Sequence, residues 1–86
     1  MPTRKEVYAA INTERHYQDN AWPRGNSSSF STGEEILLIE EYARRAREAW
    51  AGEKKGAEVE TLNAIRKIAG IAVRCMEKHG AQQRIE

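Results

Sequence analysis

"EEILLIEEYARRAREAW", residues 34–50, is the stretch on which the fold turns. Within it Ile36, Ile39, Ala43, Ala46 and Trp50 fall at alternating spacings of three and four, the pattern of a helical seam facing a partner helix. Leu37, Leu38 and Tyr42 widen that seam, so the helix reads as touching more than one neighbour. Ser31 with Glu34, or Thr32 with Glu35, offers a capping box at its start. The helix is predicted over 33–51, closed by Gly52 as a left-handed residue.

Toward the C-terminus, residues 52–56 place Glu53, Lys54 and Lys55 between two glycines, a short polar connection of the kind that joins antiparallel neighbours. A further helix is predicted over 57–79, with Gly80 as its C-cap and 80–86 as a tail. Leu62, Ile65, Ile68, Ala69, Ala72, Cys75 and Met76 give it a broad apolar stripe, and Ile71 and Val73 add a second surface. The small residues Ala69, Gly70 and Ala72 let another backbone come close.

Toward the N-terminus, Thr3 and Glu6 form a capping box for a helix predicted over 4–19. Its apolar stripe, Val7, Tyr8 and Ile11, continues as the polar Glu14, Arg15 and Gln18. Residues 20–32 collect Pro23, Gly25, three consecutive serines and Thr32, which reads as a loop pinned by its aromatics, Trp22 and Phe30. No repeat and no β-pattern interrupts this series. The expected architecture is all-α: one domain over 1–86, an antiparallel helical hairpin plus an N-terminal helix. A chain of 86 residues buries a thin core. The surplus apolar width therefore predicts homo-oligomerisation, a homodimer or higher, into a four-helix bundle.

Composition narrows the function classes. Fourteen basic against 13 acidic residues leave a net charge of +1, so no global field holds nucleic acid. The longest uncharged apolar stretch, 68–73, is far too short for a membrane span, and no apolar N-terminal run resembles a signal peptide. A cytoplasmic location is expected. Cys75 lies on the apolar stripe and reads as a buried, inert thiol. His79 in a last helical turn favours the helix dipole, His16 stands among polar residues, and one cysteine with two distant histidines makes no zinc set. Residues 52–56 lack the strand and the Lys-Ser/Thr ending of a phosphate loop.

What remains is carboxylates on helices. Glu40 and Glu41 stand four residues before Arg44 and Arg45, a spacing that suits exposed ion pairs. The same acids, brought level with Glu60 in an antiparallel hairpin, are oxygen ligands of the kind Mg²⁺ takes.

Three stretches carry a family resemblance: "INTERHYQDNAW" at 11–22, "EEILLIEEYARRAREAW" at 34–50 and "RKIAGIAVRCMEKHG" at 66–80. Together they resemble the MazG-like all-α nucleotide pyrophosphohydrolases, particularly short phage-encoded members. The resemblance implies a helical bundle built by oligomerisation, Mg²⁺ held by carboxylates, and hydrolysis of nucleoside triphosphates to monophosphate and pyrophosphate. It also places Glu14, Arg15, Gln18 and Trp22 at the border of the cleft between hairpins, where a base or phosphate would sit; the plainer reading ties helix one to the loop.

The acidic motifs depart from the family pattern. Set on Glu40-Glu41-x-x-Arg44, the first has an arginine in place of its third glutamate. The second falls on Glu60-x-x-Asn63 or on Ala64-x-x-Lys67, and loses one or both acids. Such positive charge repels a divalent cation at short range. It suits direct capture of an anion, with Arg44 and Lys67 as its ligands.

Three functions follow as expectations. The first is a non-catalytic, oligomeric binding protein, a phage or mobile-element accessory acting on a host protein or a nucleotide, with no cofactor. The second is a Mg²⁺-dependent pyrophosphohydrolase using Glu40, Glu41 and Glu60. The third is a protein-interaction module with no small ligand.

Overall fold

A computed structural model describes residues 1–21, 30–52 and 57–85. Three helices follow in order: α1 Arg4–Ala21, α2 Thr32–Ala51 and α3 Glu58–His79. No strand occurs among the described residues. Trp22 and the polar connection at 53–56 lie outside them.

Local chemistry sets the helix ends. The Thr3 backbone N–H donates to Glu6 at 2.9 Å while the Glu6 N–H donates to Thr3 Oγ1 at 3.2 Å, a reciprocal capping box. At α2 the two sequence alternatives resolve in favour of Ser31 and Glu34, bonded at 2.9 and 3.1 Å. Glu35 is thereby released for the interior. Gly52 does not adopt the left-handed conformation expected of it; its φ of −73° and ψ of −174° are extended. Gly80, at φ 121°, is the position where left-handed backbone ends a helix, its N–H donating to Met76 at 2.9 Å.

Contacts descend in register from Phe30 with Lys78 and His79, through Glu35 with Arg74, to Tyr42 with Lys67, so α2 and α3 are antiparallel. α3 is central, packing against both α2 and α1. α1 meets it only through its C-terminal half, for residues 4–10 are all exposed.

Which rows of side chains face inward corrects the sequence reading. Val7 and Tyr8 are exposed, whereas their polar continuation, Glu14, Arg15 and Gln18, is buried. On α3 the apolar row is exposed at Leu62 (53%), Ile65 (51%) and Met76, with Ala69 and Ala72 half-covered. Cys75 is half-buried rather than buried. The inward row is Lys67, Ile71, Arg74 and Lys78, and Ile71 is the one buried hydrophobic side chain among the described residues. On α2 the seam is likewise open at Ile36, Ala43 and Trp50, with Ile39 and Ala46 half-covered.

Global dimensions agree with this openness. The Cα radius of gyration is 14.1 Å, against about 12 Å for a compact chain of this length. The accessible surface is 6892 Å², about a third above the roughly 5,200 Å² expected of a monomer of this mass.

Candidate functional site

Buried charge, in place of a hydrophobic core, joins the helices. At the α2–α3 interface Arg74 Nη2 donates to Glu35 Oε1 at 2.5 Å and Arg74 Nε to Oε2 at 3.3 Å. Glu35 is fully buried and Arg74 nearly so, and the Lys78 ammonium stands 3.8 Å from the same carboxylate. At the α1–α3 interface Arg15 Nε donates to Glu77 at 2.7 Å, Gln18 Nε2 donates to the Lys67 carbonyl at 3.3 Å, and Arg66 Nε donates to Glu14 at 3.0 Å. Burial works against the Arg15 charge, but hydrogen bonds and attraction from Glu77 and Asp19 outweigh it and raise its pKa.

Gly70 makes this approach possible. A Cβ there would stand 2.7 Å from Glu14 Cγ and 2.8 Å from the Gln18 amide nitrogen, closer than non-bonded atoms tolerate. The small-residue run thus serves the polar side chains of α1. Of the residues the sequence placed at a ligand cleft, Glu14, Arg15 and Gln18 are held against α3, and Trp22 lies outside the described residues.

The acidic motif of α2 lies elsewhere. Arg44 donates to Glu41 at 2.6 and 3.2 Å and also pairs with Glu48, and Arg45 donates to Glu41 at 3.0 Å. Arg44 thus pairs with Glu41 and Glu48 instead of the expected Glu40. Hydrogen bonds from Arg44 and Arg45 hold the Glu41 carboxyl below the usual carboxylate range, and Glu41 in turn raises the Arg44 pKa. Glu40, Glu41 and Arg44 share a shallow groove with Leu37, Ala43 and Arg47. Glu60 lies in a different groove, on α3, with Asn63 and Lys67. Among the described residues no three Asp, Glu, His or Cys side chains converge on a point that would hold a metal ion.

Two grooves meet at Arg66 and Lys67. One, of about 300 Å³, is lined by Thr13, Glu14, Tyr17, Arg66 and Lys67. The other, of about 280 Å³, runs between α2 and α3 and includes Tyr42, Arg45, Asn63, Arg66 and Lys67. The Tyr42 ring carries two cations, the Arg45 guanidinium at 4.9 Å and the Lys67 ammonium at 5.5 Å from its centroid. Arg66 reaches Asn63 at 2.8 Å in addition to Glu14. Among the described residues no carboxylate pairs with Lys67.

Sequence reasoning missed Glu35, Arg74, Glu77, Arg66 and the Tyr42 pairings. One signal was present: Lys67, Ile71, Arg74 and Lys78 stand at spacings of four, three and four, a regular second row on α3. No protein-family model, curated protein or solved structure matches the chain.

Proposed function

We propose that the protein is a non-catalytic helical binding module on a MazG-like scaffold, assembled from two or more copies, an accessory protein acting on a host protein or a nucleotide. One observation carries the reading. A single hydrophobic side chain is buried among the described residues, while apolar rows at coiled-coil spacing stay exposed at Ile36, Ala43 and Trp50 of α2 and at Leu62, Ile65 and Met76 of α3. Two hairpins sharing these rows make the four-helix bundle.

The non-catalytic half of the reading is supported by Glu41, whose carboxylate is engaged by two arginines and lies in a different groove from Glu60. A Mg²⁺ ion at Glu41 would have to displace both cations.

Light scattering tests the assembly and a pyrophosphate-release assay tests the chemistry. A dimer or larger species is expected, with no release from a nucleoside triphosphate panel in Mg²⁺ or Mn²⁺. A monomer at micromolar concentration, or turnover abolished by Glu41→Ala, overturns the proposal.

A further inference from the structure

One stripe of α2 is left open by the other two helices. Ile36, Glu40, Ala43, Arg47 and Trp50 stand at alternating spacings of four and three, hence on one side of the helix, and all five are exposed. Glu35 and Tyr42, which meet α3, lie roughly a third of a turn away around the helix axis. The neighbouring charges are engaged within α2 itself: Arg44 pairs with Glu41 and Glu48, and Arg45 with Glu41. Glu40 and Arg47 have no ion-pair partner among the described residues.

Read along the chain, the stripe runs apolar, acidic, small, basic, apolar. An antiparallel copy reverses that order, so acid falls on base, alanine on alanine and isoleucine on tryptophan. A parallel copy would set Glu40 against Glu40 and Arg47 against Arg47, and like charges so placed oppose association.

We propose that this stripe is a self-complementary contact between two copies of the chain, α2 against α2, antiparallel about a two-fold axis at Ala43. Ile36 packs on the partner's Trp50, the two Ala43 side chains let the helices approach, and each Glu40 pairs with the partner's Arg47. At a rise of about 1.5 Å per residue, Ile36 and Trp50 lie about 10 Å on either side of the axis. Arg47 is then one residue, about 1.5 Å, off the level of the partner's Glu40, within reach of two long side chains. Such a contact is isologous and closes with two copies. It rests on the reading of the chain as an oligomer and adds the face, the orientation and the charges that set it.

The test is charge reversal in the full chain, read by sedimentation equilibrium with helicity followed by circular dichroism. Glu40→Arg and Arg47→Glu should each weaken association at least about tenfold, because both ion pairs become like-charge contacts. An equimolar mixture of the two variants should associate to within about threefold of the original affinity, since opposite charges again meet at both pairs. Both substitutions in one chain should do the same. A monomeric unsubstituted chain overturns this contact and the oligomeric reading together. Association undiminished in both single variants overturns the contact alone and leaves self-association to the α3 row. So does a mixture, or a doubly substituted chain, that is helical yet fails to recover, because the stripe then meets a different face, of a second copy or of another protein's helix.

Discussion

Glu35 shows how a single residue is assigned by its partners. It stands at the fourth position of a possible capping box, yet Ser31 and Glu34 make the box and Glu35 turns inward to Arg74. Two charges removed from water repay their desolvation only while both are present, so the pair specifies the α2–α3 register more than it stabilises the fold. Arg74→Met should therefore destabilise the protein by up to about 3–5 kcal/mol, since it leaves the buried carboxylate with the Lys78 ammonium at 3.8 Å and without its two arginine hydrogen bonds. Glu35→Leu with Arg74→Met should recover most of that loss or exceed it. Urea titration of the three proteins checks this, and a double substitution as damaging as the single one would contradict it. Gly70 belongs to the same scale: its missing side chain is the space in which Glu14 and Gln18 sit.

Helix ends make the next prediction. Hydrogen bonds from the Thr3 and Ser31 backbone and hydroxyl groups hold Glu6 and Glu34 below the ordinary carboxylate value. A depressed folded-state pKa means the stabilisation is complete above the unfolded value of about 4.3 and is lost as pH falls through the depressed one. Helicity followed by circular dichroism should thus be level near neutrality and decline on acidification below about pH 4. Ser31→Ala should cost about 1 kcal/mol at neutral pH and reduce the acid-induced loss, because Glu34 no longer has the hydroxyl to release. An unchanged acid arm would argue against the cap as its source.

At the scale of the whole molecule, the proposed assembly would make stability and association one equilibrium. If a second copy covers the open rows of α2 and α3, the melting temperature must rise with protein concentration. A rise of a few degrees per tenfold in concentration is expected for a small domain. Leu62→Glu with Ile65→Glu should lower the melting temperature and remove that dependence. A melting temperature independent of concentration in the unsubstituted protein would mean that the three helices stand alone. Glu14, Gln18 and Glu35 inside, with Ile36, Leu37, Leu62 and Ile65 exposed, make that outcome physically demanding.

The sequence by itself determined the helices. Capping boxes at Thr3 and Ser31, the glycine at 80 and spacings of three and four are local signals, read within one or two turns of chain. Their limits were legible to within two residues, for α1 continues to Ala21 beyond the expected Asp19. What only the tertiary structure decided is which side of each helix faces in. Periodicity finds rows of like residues but carries no direction, and α3 has two rows, one apolar and one of Lys67, Ile71, Arg74 and Lys78. The inward choice depends on long-range partners: Glu35 39 residues from Arg74, Arg15 62 residues from Glu77. Arg74 and Lys78 face in because the buried Glu35 carboxylate meets both, and the apolar row on the opposite side of α3 stays largely exposed within the single chain.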